Sequence, residues 1–135
     1  MSNINLLTIR GVTAIVGMHD RIADVKAALE QRLNLDEYTD NIRPVTLNYS
    51  VVLRICLLAG LSDKSPRTID DLNEYNLTKS NTPYATTFFS KSDIGTMFEI
   101  LLKLRYHDVD ADWTSALLVS RVIGREILRG RELLM

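Results

Sequence analysis

The feature that most constrains the fold is an apolar run, Val51-Val-Leu-Arg-Ile-Cys-Leu-Leu-Ala-Gly-Leu61, whose single charged residue is Arg54. Its spacing predicts a helix from about Asn48 to Ala59, with Gly60 as the terminator. A helix that is apolar almost all round must be covered by other elements on most sides. A chain of 135 residues has room for one core. We therefore expect residues 1–135 to form a single domain around this central helix.

Apolar residues at helical spacing predict three further helices in the chain. The first runs from about Asp20 to Leu33, with Asp20 as its cap. The third runs from about Lys91 to Tyr106, and the fourth from about Asp112 to Arg129. The core stripe predicted for the third helix is Ile94, Met97, Phe98, Leu101 and Leu104, while Ile100 and Leu102 add apolar surface that hints at a subunit contact.

The rest of the chain is irregular, and its pattern does not indicate an extended sheet. Ser62 to Ala85 reads as a long connection with one helical turn at Ile69–Leu72. Residues 1–18 are left as a short strand, a hairpin or an arm on a neighbouring molecule. The fold class is mainly α: a compact domain of about four helices, with a long irregular connection between helices two and three.

Charge, cysteine content and motifs exclude several classes of function. The formal net charge of -1 is unlike that of autonomous nucleic-acid binders, so any DNA contact needs a local patch or an oligomer. Cys56 is the sole cysteine, which excludes a disulfide framework, and its apolar surroundings predict a buried, inert thiol. The N-terminus lacks a basic signal-peptide region and the apolar run is too short for a bilayer. We expect a cytoplasmic protein with no membrane contact.

We expect no catalytic residue, cofactor or metal ion. No phosphate-binding glycine loop, dinucleotide fingerprint or nucleophile elbow is present in the sequence. The segment from His107 to Asp112 resembles a calcium loop, but Trp113 and Val119 stand where that loop needs glycine and glutamate.

The candidate binding feature is an arginine stripe, which we define as Arg121, Arg125 and Arg129. A four-residue step advances about 40° around a helix, so the three guanidinium groups share one face. The opposite face carries Trp113, Ala116, Ile123 and Ile127. The stripe can be a solvated surface, a phosphate contact or a set of inter-subunit ion pairs. Lys103 and Arg105 would widen it if helices three and four are antiparallel neighbours.

Arg54 is the other unusual residue, because a guanidinium inside an apolar helix is costly to desolvate unless it is paired. One interpretation is a buried arginine clamped by Glu99 or Asp93. The other is a residue that emerges at a subunit seam or on a ligand face.

Two blocks of the sequence resemble the DndE family, the small subunit of bacterial DNA phosphorothioation systems. In the first block, Tyr49 and Ser50 precede an apolar helix with one arginine, Arg54, which closes with Gly60-Leu61 and the turn 62–66. In the second, Phe98-Glu-Ile-Leu-Leu-Lys-Leu-Arg105 is similar to a Leu-Leu-Lys-x-Arg helix that precedes an acidic loop and a terminal helix. The family's terminal histidine motif is absent, since this chain has Ser120-Arg-Val-Ile-Gly-Arg-Glu-Ile-Leu-Arg-Gly130 there.

The resemblance, over about residues 45–130, implies a helical protein that forms a tetramer and has no catalytic centre. Such a protein works with a sulfur-transferring subunit and an ATPase, and binds duplex DNA, including nicked duplex, through lysines of its first helix. That helix here mixes Arg21, Lys26 and Arg32 with acidic residues. The competing hypothesis is a helical interaction module without nucleic-acid contact. The candidate DNA contacts are Arg121, Arg125, Arg129, Arg131, Lys103, Arg105, Lys26 and Arg32, with Arg54 as a structural or interface residue.

Overall fold

The computed structural model of this protein describes residues 14–32, 47–77 and 92–135, with the backbone alone for 92–94. Four α-helices lie in these ranges: α1 (Met18–Arg32), α2 (Tyr49–Ser62), α3 (Ser92–Arg105) and α4 (Ala116–Leu134). A 3-10 turn occupies Leu72–Glu74, three residues beyond the start of the predicted turn. The described ranges contain no strand, and Ile15 and Leu77 form an isolated antiparallel bridge. The predicted mainly α fold is confirmed.

The central helix is α2, which packs most extensively against α4. Asn48 caps its N-terminus, where the side-chain oxygen accepts a hydrogen bond from the Ser50 amide at 2.7 Å. The prediction that Gly60 ends the helix is wrong, since α2 continues to Ser62. A Cβ at Gly60 would lie 2.0 Å from the Glu126 carbonyl oxygen, and one at Gly130 would lie 1.7 Å from the Cys56 carbonyl oxygen. The two glycines therefore permit backbone contact between α2 and α4.

Helix α1 packs against both α2 and α4 through Met18, Ile22 and Val25. It begins two residues before Asp20, which lies in its first turn rather than at its cap. The chain enters through Gly17, whose φ of 72° suits glycine. Just before it, Ile15 is buried in the core. Residues 14–18 thus pack on their own chain, whereas 1–13 and Leu33 lie outside the described residues.

Helix α3 turns to the core a face that matches the predicted stripe only in part: Phe98 is buried as predicted, and Leu101 packs against the core partly buried. Phe98, Leu102 and Tyr106, spaced four residues apart, are buried. Met97 and Leu104, expected in the core, are 40% and 56% exposed, and the side chain of Ile94 lies outside the described residues. The prediction failed because α3 is apolar on two faces and its packing partner selects one. We call Met97, Ile100 and Leu104, which share the outer face, the α3 ridge.

Helix α4 begins later and ends later than predicted. Ser115, not Asp112, is its N-cap, since the Ser115 hydroxyl accepts from the Leu118 amide at 3.2 Å. Asp112 accepts instead from the Thr114 amide in the preceding loop. The helix runs on to Leu134 and buries nine residues, among them Arg125 and Glu126. In the described ranges, no helix is both long enough and apolar enough to span a bilayer.

Candidate functional site

The arginine stripe lies on one face of α4, but its guanidinium groups bond to other parts of the same chain. Arg121 donates from Nε to the Tyr75 carbonyl oxygen at 3.0 Å and from Nη1 to the Asn73 side-chain oxygen at 3.2 Å. Arg129 donates to the Glu126 carboxylate at 3.2 Å and to that of Asp63 at 3.4 Å. The interpretation of the stripe as a solvated face is therefore wrong, because these guanidinium groups bond to other residues in the described part of the chain.

Arg125 is the most buried member of the stripe, with 8% of its surface exposed. Its Nη2 donates to the Tyr106 hydroxyl at 2.9 Å, and its guanidinium carbon lies 5.9 Å from the centre of that ring. The Tyr106 hydroxyl in turn donates a hydrogen bond to the Glu126 carboxylate. Burial, and then the negative charge of Glu126, raise the pKa of Tyr106 above its ordinary value. The hydroxyl therefore stays protonated and links Arg125 to Glu126.

Glu126 is the centre of this arrangement and is 0% exposed. Arg67, from the connection after α2, donates from Nε to Oε1 at 2.7 Å and from Nη2 to Oε2 at 3.3 Å. The Arg67 side chain is also fully buried. Two donors on one carboxylate give the forked geometry typical of a strong arginine–carboxylate pair. We call Arg67, Arg125, Arg129, Glu126 and Asp63, together with Tyr106, the Glu126 cluster.

Arg67 also donates hydrogen bonds to carbonyl groups at the C-terminal end of α2. Its Nη2 donates to the carbonyl oxygens of Gly60 at 2.9 Å and Asp63 at 2.8 Å. Arg105 at the end of α3 donates to the Leu61 carbonyl oxygen at 2.5 Å. The last carbonyl groups of a helix have no partner within it and attract cations. The two arginines therefore join the end of α2 to α3 and α4.

The charges of the Glu126 cluster do not balance. It contains three guanidinium groups, on Arg67, Arg125 and Arg129, but only two carboxylates. The carboxylates of Glu126 and Asp63 contact Arg67 and Arg129 and not Arg125. The hydrogen bond from Ser65, followed by the charges of Arg67 and Arg129, lowers the pKa of Asp63 below its ordinary value. By formal charge, the residues of the cluster carry one more positive than negative charge. Among the described contacts, Arg125 bonds to the neutral Tyr106 hydroxyl, and its Nε is buried without a hydrogen-bond partner.

An open groove runs along α4 beside this cluster, with a volume of about 670 Å³. We call it the α4 groove. Arg125 and Arg129 line it together with the apolar side chains of Leu128 and Leu133. Arg21 of α1 and Arg131 also line it, as do the acidic residues Asp63 and Glu132. The groove thus combines guanidinium groups with apolar walls.

The other predicted DNA contacts are divided between paired and exposed positions. Arg131 bonds to the Asp24 carboxylate, which lowers the pKa of that acid. Lys26 pairs with Glu30 at 2.6 Å within α1. Lys103 and Arg32 are exposed. The structure therefore does not bring the predicted set together on one basic surface.

Arg54 is half-buried on α2, so it is neither as buried as the clamped interpretation expects nor fully exposed. The side chain of Asp93, one of its predicted partners, lies outside the described residues. Its role at an interface stays a prediction.

The described residues do not assemble a metal centre, since no group of three or more His, Cys, Asp or Glu side chains is placed to hold an ion. His107 and Asp108, considered for a metal loop, are exposed and pair with each other at 2.9 Å. Cys56 is buried as predicted, and burial raises the pKa of its thiol to about 11.

Sequence reasoning missed Arg67 and the burial of Glu126. One signal was present: Glu126 adjoins Ile127 and lies three residues after Ile123, on the apolar side of α4. An acid in that position needs a cation from elsewhere in the chain. The identity of that cation could not be predicted from local sequence, because Arg67 is 59 residues away along the chain.

Comparison with known proteins identifies no relative: no family model, no curated protein and no solved structure matches the chain.

Proposed function

We propose that this protein is a non-catalytic accessory subunit of a DNA phosphorothioation complex, and that it acts by binding its own copies and partner subunits. The process is inferred from the resemblance of the α2 and α3 segments to the DndE family. The same resemblance is the basis for the partner subunits, a sulfur-transferring subunit and an ATPase, and for a tetramer in the cytoplasm. One observation disfavours the stripe as a free basic surface for DNA: all three of its arginines donate hydrogen bonds within the chain.

A phosphate contact by the stripe would have to break these bonds. If Arg129 turned outward to DNA, Glu126 would lose one of its guanidinium partners in a buried site, which is unfavourable. Arg125 exposes only 8% of its surface, at the edge of the α4 groove, so a rigid duplex backbone has little access to it. Non-specific DNA affinity rises with the number of cations that reach phosphates. Of the predicted DNA contacts in the described part of the chain, Lys103 and Arg32 are exposed, and two cations alone are too few for tight binding.

The surface that supports self-assembly is the α3 ridge. Met97, Ile100 and Leu104 are 40%, 52% and 56% exposed on one face of the helix. A two-fold axis at the middle of α3 would pair Met97 with Leu104 of a second copy, and Ile100 would lie near the axis. The ridge is thus self-complementary, as the symmetric interface of a dimer requires. Burial of such a ridge would remove apolar area from water in both protomers.

Light scattering after size exclusion tests the self-assembly part. We expect Ile100→Ser with Leu104→Ser to shift the protein to monomer without loss of helical circular dichroism. Leu117→Ser is the matched control, because Leu117 is equally exposed but lies on α4. An unchanged oligomer in the double variant, or a monomeric wild type, contradicts self-assembly through the ridge.

A gel-shift titration on intact and nicked duplex, at about 50 and 200 mM salt, tests the alternative of DNA contact by the stripe. We expect wild-type protein alone to show no salt-steep binding. Tight binding that Arg121→Ala with Arg125→Ala abolishes, in a protein that remains folded, would refute the preference for protein contacts.

A further inference from the structure

Within the part of the chain that the structure describes, the Glu126 cluster leaves one cation without a carboxylate partner at the edge of the α4 groove. Arg67 and Arg129 contact carboxylates directly, whereas Arg125 contacts the Tyr106 hydroxyl. A buried charge is normally paired with an opposite charge. A second charged set contains equal numbers of both signs: Arg21, Arg131 and Glu132 line the groove, and Asp24, which does not line it, pairs with Arg131. The excess positive charge therefore lies at Arg125.

The groove offers more than charge to a ligand. Leu128 and Leu133 line it beside the arginines, and Leu133 is 57% exposed. The side chain of Arg129, 28% exposed, leaves part of a second guanidinium group within reach of the groove. A ligand group there would meet two guanidinium groups and two leucine side chains on successive turns of one helix.

We propose that the α4 groove binds a carboxylate carried on an apolar segment of a partner protein. The carboxylate lies against Arg125 and Arg129, and the apolar part of the segment packs on Leu128 and Leu133. This rests on the proposed function, in which the protein binds partner subunits, and it names the chemistry of the segment that is bound. A single excess positive charge matches a single carboxylate. The acids Asp63 and Glu132 on the same groove oppose a dianion or a phosphate chain.

N-acetyl-L-leucine, a leucine side chain with one carboxylate, is the probe. Its binding is followed by NMR through the Nε–H signals of Arg125 and Arg129. We expect saturable shifts with a dissociation constant on the order of millimolar, as befits so small a ligand. N-acetyl-L-leucine amide, which has the same shape without the charge, should bind at least about tenfold more weakly, since it loses the charged hydrogen bonds.

Two variants test the two halves of the site. Arg129→Gln and Leu133→Ser should each weaken binding of N-acetyl-L-leucine at least about fivefold, equal to about 1 kcal/mol. Lys64→Gln is the control: it removes an exposed cation next to Asp63 that does not line the groove, and binding should be unchanged. Equal binding of acid and amide, no binding of either, or equal loss in the control overturns the proposal.

Inorganic phosphate and a nicked duplex complete the experiment. Stronger shifts of the same two Nε–H signals by phosphate or duplex than by N-acetyl-L-leucine would overturn the proposal in favour of a phosphate ligand. The outcome is independent of the α3 ridge: failure of the groove leaves self-assembly standing, and a monomeric protein can still bind the probe.

Discussion

Replacement of Glu126 by glutamine should be the most damaging single charge change in the described part of the chain. Glu126 is fully buried and accepts from Arg67, Arg129 and Tyr106. Glutamine keeps the shape but not the charge, so the fully buried Arg67 guanidinium loses its nearest carboxylate. Breaking a buried pair by removal of one partner costs about 3–5 kcal/mol. That is a large share of the roughly 5–15 kcal/mol by which small domains are stable.

Urea unfolding followed by circular dichroism at 222 nm measures this effect. With a slope of about 1.5 kcal/mol per molar urea, the midpoint should fall by about 2–3 M. Glu132→Gln is the matched control: Glu132 lies on the same helix and pairs with Arg131, but its side chain is 72% exposed. Exposed pairs contribute about 0–1 kcal/mol. Midpoints that shift equally in the two variants would refute the view that the Glu126 cluster holds the helices together.

Two further predictions concern the helix crossing and acid stability. Gly130→Ala should lower the free energy of unfolding by about 1–3 kcal/mol, the usual cost of overpacking, because the new methyl group meets the Cys56 backbone. Gly124→Ala should lower it less, since its methyl group meets the Ile15 side chain. Equal urea midpoints for the two variants would contradict this. Because hydrogen bonds and nearby arginines lower the pKa values of Asp24 and Asp63 in the folded state, their contribution is present above the unfolded pKa of about 4 and is lost as the pH falls below it. Unfolding midpoints should therefore be flat from about pH 7 to 5 and fall towards pH 3, less steeply in Asp63→Asn, and a midpoint that rises on acidification would contradict the sign.

The helices could be predicted from the sequence because their signals are local. Apolar spacing located all four, and the start predicted for the central helix, near Asn48, is one residue from the observed start at Tyr49. Helix ends were less accurate where a residue had two possible uses. Gly60 looked like a terminator but is a contact surface for α4, a distinction that depends on a residue 70 positions away, Gly130.

The arginine stripe shows what local sequence patterns can predict and what they cannot. Its four-residue spacing correctly indicated that Arg121, Arg125 and Arg129 share one helix face. Spacing says nothing of what that face meets, and it meets the connection after α2 and the end of α3. The buried face of α3 was predicted only in part for the same reason. The helix has two apolar faces, and its packing against α2 decides which of them is buried.

The sequence by itself determined the mainly α class, the buried central helix and the alignment of three arginines, because each follows from residues within a few turns of one another. Only the tertiary structure decided which partners those arginines meet. Arg129 bonds to Glu126, which also holds Arg67, while Arg125 bonds to the Tyr106 hydroxyl and Arg121 to the connection after α2. The physical reason is that pairing of a buried charge depends on which distant segment is packed against it. The tertiary contacts thus make the arginine stripe part of the packing among the described residues.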